Sequence, residues 1–467
     1  MKRKIISLCL LPAALYLSAQ DASTIKNTAE VYSNSTQFGT AKYTAMAGSI
    51  GALGGDISSI NTNPAGLGVA ITGSIGATLN MVKNSNTSSI GGASLEKSTN
   101  KTSFGQAGGI ATFMFNESSK WKFVNIGVNY TNQDIEDYIQ SPKSGAVISR
   151  ELLNSQNQKV IGNFTNEAHA FDRTGYVSKM NIGVGGNYDN RIYVGGSINF
   201  SSANIEQYDT QRFALDLDPN HWYDFNQRFT PFAEESSGLS ISAGVIAKVS
   251  PQIRLGAALE TPTWWKINRV FTGQLFTKDG QVIPDSQWQD NNGFVAENYT
   301  EDRSLTTPAK MTLSGAFVPN KNFAFNIDYT LGLSKPKYKV QGDAETELNN
   351  FLDENYKNIS DLRIGAEYRY AGFRLRGGYG FASSAFSQED FLGKRHTLGL
   401  GLGYDFKSFY IDAAYQNISS DYNHFYGGGN YFSTSNGSEI SLFSNDYSQT
   451  KIKNKQNNFF LTAGWKF

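Results

Sequence analysis

The sequence predicts an all-β protein, a transmembrane antiparallel β-barrel of about fourteen strands with its own N-terminal segment as a hatch in the lumen. Three observations lead there. The chain opens on a secretory signal, closes on a strand with two-residue alternation that stops at an aromatic residue, and links its strand-like segments by alternately short and long connections.

The signal comes first. Met1-Lys2-Arg3-Lys4 supply a basic start, Ile5 to Leu17 an apolar run, and Ser18-Ala19-Gln20 a small-residue end, so residues 1–19 are expected to be removed. The apolar run is too short to cross a bilayer as a helix, and no later run approaches the roughly 18 apolar residues that would. Cys9 sits inside the apolar run behind Leu8, which does not fit a lipid-anchor site. Losing the signal removes the only cysteine, so no disulfide, thiolate nucleophile or cysteine metal site is expected. Lys plus Arg number 41 and Asp plus Glu 41, a balance that gives nucleic acid no field to bind. The 46 glycines, 24 tyrosines and 31 phenylalanines against 11 prolines suit barrel strands, which need only every second residue apolar.

The last strand shows that alternation best. Phe459, Leu461, Ala463, Trp465 and Phe467 fall on one face and Asn458, Phe460, Thr462, Gly464 and Lys466 on the other, one suited to lipid and one to a polar lumen. Its terminal aromatic resembles the signal read by the outer-membrane barrel assembly machinery. The same reading places strands near 69–82, 104–115, 121–131, 176–188, 191–202, 237–248, 252–260, 306–318, 321–330, 361–370, 372–380, 395–406, 408–416 and 457–467. Of these, 104–115 lacks clean alternation. Asp189-Asn190, Ser250-Pro251, Pro319-Asn320, Ala371-Gly372 and Lys407 read as tight turns. The intervening stretches 132–175, 203–236, 261–305, 331–360 and 417–456 read as long polar loops, all at the end opposite the termini.

Residues 20–68 differ in kind, and the barrel is expected to occupy 69–467. From Ala45 to Leu67 small residues dominate, without a two-residue period and with too much apolar content for a solvated tail. Such a segment needs a container, and a barrel of this size has a lumen to fill. Asn63-Pro64-Ala65 combines a turn-capping side chain, a fixed φ and a small residue, so it is expected to set where the hatch sits.

Asn63-Pro64-Ala65, after the run through Gly48, Gly51, Gly55 and Asp56, resembles the hatch of the FadL-like long-chain fatty-acid transporter family. Thr307-Pro308 with Met311, Gly315 and Asp328-Tyr329, and Leu362-Arg363-Ile364-Gly365-Ala366-Glu367-Tyr368 with Leu375-Arg376-Gly377-Gly378-Tyr379, resemble strand motifs of the same family. The resemblance covers most of the mature chain, and its hatch run is the more specific part. It implies a fourteen-stranded barrel in the bacterial outer membrane, entry of hydrophobic molecules from outside, and exit sideways beside a kinked third strand. It implies neither a cofactor nor a chemical step. Gly127, alone among glycines in the third strand, is the candidate for that kink, or else relieves crowding in the lumen. Some barrels resembling the family serve instead as structural or protein-secretion shuttles at the cell surface.

Site chemistry beyond this is sparse. His169, His221, His396 and His424 show no pair at metal-ligand spacing, so no metal is expected. His396 beside Arg395 at the outer rim leaves a barrel hydrolase as a remote alternative, with no serine or third group selected. Arg363, Arg369, Arg374 and Arg376 from two adjacent strands form a basic ladder, able to grip a fatty-acid carboxylate or else to pair with Glu367, Asp328, Asp405 and Asp412. Trp222, Tyr223, Phe225, Trp264, Trp265, Phe271 and Phe276 are either an external apolar capture surface or, for Trp264 and Trp265, part of an interfacial girdle.

Overall fold

A computed structural model describes residues 24–33, 38–145, 147–153, 158–218, 221–276, 295–342, 344–387, 391–426, 429–435, 438–444 and 448–467. The signal segment, and residues 154 and 285 within the expected loops, lie outside them. In chain order the strands are β1 (Ser74–Ile90), β2 (Ala93–Met114), β3 (Trp121–Ser141), β4 (Val147–Leu153), β5 (Lys159–Tyr188), β6 (Ile192–Asp218) and β7 (His221–Lys248). They continue as β8 (Ile253–Glu260), β9 (Trp264–Phe276), β10 (Val295–Thr306), β11 (Lys310–Asn320), β12 (Phe323–Gly332) and β13 (Lys337–Lys339). The last are β14 (Ser360–Tyr370), β15 (Phe373–Ala382), β16 (Arg395–Asp405), β17 (Phe409–Tyr426), β18 (Gly429–Ser435), β19 (Ser438–Ser444) and β20 (Ser448–Lys466). Two helices matter below: α1 (Ala41–Ala45) and α2 (Ala344–Asn355).

Fourteen of these strands form a closed antiparallel ring. The ring runs β1, β2, β3, β5, β6, β7, β8, β11, β12, β14, β15, β16, β17, β20, and β20 returns to β1 with Ser74 opposite Lys466. Closure leaves the ring without an open edge, the condition for burying a sheet in lipid. In β1 the expected alternation is plain: Ile75, Leu79 and Met81 face out, while Thr78, Asn80 and Val82 are buried inside. Around the ring the outward side chains form an apolar belt, with Leu255, Leu313, Leu400 and Leu461 all about half exposed. The tight turns fall where expected: Asp189 and Asn190 adopt φ of 55° and 54°, and Ala371-Gly372 47° and 91°, the left-handed pairs a two-residue hairpin needs.

The expected loops are mostly wall, which corrects the sequence reading. β5, β6 and β7 contain 30, 27 and 28 residues, against the roughly 9–11 that cross the hydrocarbon. Above the belt polar residues occupy both faces of a strand, so the period that marks a membrane strand vanishes while the backbone ladder continues. β9 and β10 extend β8 and β11 upward after interruptions at Pro262 and Pro308, which have no N–H to give the ladder. The Thr307 amide bridges that pause, donating to Thr263 O at 3.0 Å. The first strand begins at Ser74 rather than at 69, because Pro64–Val69 forms a 3-10 turn. The second, whose alternation was unclear, has a register shift at its Gly105.

Candidate functional site

The lumen is the candidate site, and three layers fill it. In the lowest layer, next to the tight turns, the arginine ladder meets carboxylates. Arg376 donates from Nε to Glu367 at 2.5 Å and from Nη1 to Asp412 at 2.7 Å, with its side chain fully buried. Arg369 also binds Glu367, while Arg374 shares Asp405 with Lys466. Arg363 stands higher, 3.6 Å from Asp361 and bonded to Thr330 and to the hatch carbonyl of Gly48. The alternation that aimed these arginines inward also aimed the acids of neighbouring strands at them.

The middle layer is the hatch, which sits inside the ring at belt height. Asn63 caps the 3-10 turn, accepting from the Ala65 amide at 3.0 Å, and its Nδ2 donates to Gly51 O at 2.9 Å and to Val245 O of β7 at 3.3 Å. Pro64 fixes the first position of that turn, and Ala65 is wholly buried. Wall side chains satisfy the hatch backbone: Asp328 accepts from the Ile50 and Gly51 amides at 2.9 and 3.1 Å, and Asn125 donates to Leu67 O and Ala70 O. Arg254 donates to Leu53 O at 3.0 Å, and Thr462 accepts from the Ala41 amide at 2.7 Å. The hatch is thus held by directional bonds to a buried polar wall as well as by apolar packing of Phe38, Ile57, Ile60 and Leu67.

Gly127 belongs to this seat. Pairing is regular on both sides of it, and a β carbon there would stand 2.5 Å from Leu67 Cδ2. The discontinuity lies next door and higher. β2 and β3 pair only from Met114↔Phe123 to Gln106↔Thr131, whereas β3 continues along β5 to Ser141↔His169. Above that level β3 leans over the lumen, where Asn84 Nδ2 donates to Glu136 O at 2.7 Å and Asn86 Nδ2 to Tyr138 O at 2.9 Å.

The upper layer combines an apolar cluster with buried ion pairs. Residues 24–33, which include a π turn at Thr28–Tyr32, bury Ile25, Val31 and Tyr32 against Ile205, Trp265, Ile267, Leu305, Tyr338, Leu348, Leu352 and Phe386. Leu348 and Leu352 come from α2, which caps this side. Tyr32 meets Trp265 edge-on at 5.0 Å and donates to Glu234 at 2.8 Å; Glu234 also holds Arg269. Between this layer and the hatch lies a cavity of about 70 Å³, bordered by Tyr32, Tyr43, Trp265, Lys310 and the Lys179–Glu260 pair at 2.7 Å.

The two tryptophans read together therefore part company: Trp264 is exposed at the belt's upper edge and Trp265 lines the lumen. The side chains of Trp222, Tyr223, Phe225, Phe271 and Phe276 lie outside the described residues. His396 is exposed, its Nδ1 2.8 Å from Tyr379 Oη. His169 and His424, far apart in sequence, come together with ring centroids 5.2 Å apart. Only strand register could have revealed that pair.

No family model matches the chain, and no curated protein matches its sequence. Solved structures do match its fold. A FadL homologue of Pseudomonas aeruginosa is 12% identical, with a TM-score of 0.55 over 93% of this chain and 100% of that one. The toluene transporter TodX of Pseudomonas putida is 14% identical, with a TM-score of 0.53 over 92% and 99%. The monoaromatic hydrocarbon channel CymD is 12% identical, with a TM-score of 0.51 over 93% and 98%. At such identities the likeness is one of fold.

Proposed function

We propose that the chain acts in the bacterial outer membrane as a passive uptake channel for hydrophobic or amphipathic small molecules, long-chain fatty acids among them. In this reading residues 1–19 direct export, 20–68 form the hatch, 69–467 form the barrel, and Phe467 marks the last strand for the assembly machinery. The observation that carries it is the apolar cluster at the outer end of the lumen. Beside the buried Glu234–Arg269 pair, Ile267, Leu305, Tyr338 and Trp265 offer an apolar solute a dry surface that a wholly polar pore wall lacks. Burying one large apolar group on such a surface is worth about 1.5–3 kcal/mol.

The periplasmic end supports release through the wall instead of straight down. A solute continuing along the axis would have to part the Glu367–Arg376–Asp412 layer, and breaking a buried pair costs about 3–5 kcal/mol. Beside the hatch, backbone pairing between β2 and β3 lapses above Gln106 and Thr131, and parting the part-exposed Lys101–Glu136 and Ser103–Asp134 bonds that bridge the gap would open a sideways route. Solved structures of the same fold include a toluene transporter and a monoaromatic hydrocarbon channel, which is consistent with apolar cargo.

The test is uptake of radiolabelled oleate and of toluene by cells expressing the chain in place of their own hydrophobic-compound channels. Faster uptake than in empty-vector cells, lost in Ile267→Asp, is expected, with barrel integrity checked by heat-modifiable mobility. Uptake equal to the empty vector from a correctly folded barrel would refute the reading.

A further inference from the structure

We propose that His169, Asp209 and His424 form a binding site for one divalent metal ion of the zinc class at the outer mouth of the barrel. The donors come from β5, β6 and β17, above the apolar belt. β17 is laddered to β16 and β20, not to β5 or β6, so the cluster joins walls that the backbone does not.

The donor geometry supports the assignment. One ligand atom from each residue lies within 4.8 Å of the others, and His169 Nε2 is 2.8 Å from Asp209 Oδ1. Zinc bonds of roughly 2.0–2.2 Å place tetrahedral co-ligands about 3.3 Å apart, so His169 and Asp209 stand near that spacing and a modest rotation of His424 completes three ligands. The donor set, two imidazoles and a carboxylate, suits zinc and its spectroscopic substitute cobalt better than a hard cation such as calcium. The partly exposed Asp209 side leaves room for a water as fourth ligand.

The surroundings prepare the site. His169 Nδ1 lies 3.1 Å from Ser141 Oγ, which is 2.9 Å from Thr450 Oγ1, an outer contact that orients the ring so that Nε2 faces the cluster. Phe171 packs against His424 at 4.6 Å, and Ile139, Phe171, Tyr422 and Ile452 form an apolar patch beside it. Two cations stand near, and both have carboxylates of their own. Arg173 lies 2.6 Å from Glu30 and 3.1 Å from Asp137, and Lys26 is 3.9 Å from each of the same acids. Those four charges balance, and the carboxylate of Asp209 is left to attract a metal. A bare His–Asp pair would need only two of the three residues; the third arrives from another wall. Bound metal would tie β17 to β5 and β6 directly over Lys26, closing the mouth above the N-terminal segment.

The full-length protein in detergent, stripped with a chelator and titrated with Co2+, tests this. One equivalent should bind with the intense visible absorption of low-coordinate cobalt, and Zn2+ should displace it. His169→Gln with His424→Gln should abolish the band, Ser141→Ala should weaken binding about ten-fold, and His396→Gln should leave it unchanged. A double variant that binds cobalt as tightly as the parent would overturn the site. So would a parent protein that binds none, a result that needs no variant to fold. X-ray absorption of the Zn2+-loaded parent gives an independent reading: a shell with two histidines supports the site, and a shell without histidine sinks it.

Discussion

The lower and upper halves of the lumen filling come from one continuous N-terminal stretch, yet they are held by different mixtures of forces, the lower with more backbone hydrogen bonds to the wall and the upper with the larger apolar cluster. Residues 41–70 are fixed by hydrogen bonds whose partners have set positions: Asp328 on the Ile50 and Gly51 amides, Asn125 on Leu67 O, Arg254 on Leu53 O. Residues 24–33 are fixed by apolar burial against Trp265, Leu305 and α2 together with buried charged contacts: Tyr32 on Glu234, Thr24 on Arg269, and Asn27 and Glu30 on Arg173. Directional bonds define one register. Apolar contact is non-directional, so a ligand of similar shape competes for it on equal terms. The lower half is thus a seat, and in the upper half the apolar share of the contacts is the part that a ligand can compete for.

Two deletions separate these roles, with the largest expected effect in the molecule. Removing residues 20–61 empties the seat, and the folded barrel should conduct small ions far better than the full-length protein in planar bilayers. Removing residues 20–33 alone should leave conductance near the parent level while strengthening binding of apolar ligands, read by quenching of tryptophan fluorescence. Equal conductance from both deletions would erase the distinction.

The charged floor beneath the seat comes next. Arg376→Ala strands Asp412 and leaves Glu367 to Arg369 alone in a buried layer, and should cost about 3–5 kcal/mol, seen as a lower unfolding temperature in detergent. Arg374→Ala, partly exposed and sharing Asp405 with Lys466, should cost about 1 kcal/mol or less. Neither should favour an uncharged ligand over a carboxylate of equal length. A selective loss of carboxylate binding would return the ladder to a ligand role.

These residues also mark how far the sequence could be read. Strands with one face to lipid announce themselves, as Phe459 to Phe467 do, because two solvents impose two chemistries at period two. Tight turns are legible for a similar reason: Asp189, Asn190 and Gly372 tolerate a positive φ that most residues resist, and Gly372 marks its turn although Ala371 beside it also takes φ 47°. Above the membrane both faces meet water or polar protein, so the upper parts of β6 and β7, within 203–236, looked like a loop. Inward arginines were legible as inward, but their partners were not, since Arg376 meets Asp412 only through the register of β15 with β16 and of β16 with β17. His169 and His424 needed the closed ring as well. The hatch turn was legible in place, because Asn-Pro carries its own conformation, whereas its hold on Val245 O was not.

That hold gives a smaller prediction. Asn63→Ala loses the cap on the Ala65 amide and both donations from Nδ2, and should cost about 1–2 kcal/mol. Pro64→Ala beside it loosens the turn further. The pair should leak measurably, though less than the 20–61 deletion, in the same bilayer assay. No leak would mean that Asp328, Arg254 and Asn125 seat the hatch without it.

The smallest effect sits at Gly127, where seat and gate are easiest to confuse. If this glycine serves as a hinge in β3, Gly127→Ala acts through backbone stiffness, and nothing on the hatch should correct it. If it serves as space for Leu67, the new methyl meets Cδ2 at 2.5 Å, and the hatch must give way. Leu67 is fully buried, but the clash falls on the end of a flexible side chain, so the cost should be near the low end for an overpacked core, about 1 kcal/mol. A slight leak is expected from Gly127→Ala. Adding Leu67→Val, which withdraws the colliding atoms, should reduce it. Uptake of apolar cargo, measured on the same variants, sharpens the result: a spacer alters leak first and uptake little, while a hinge alters uptake with no change in leak. A Gly127→Ala defect that survives Leu67→Val and appears only in uptake would move this residue from the seat to the gate.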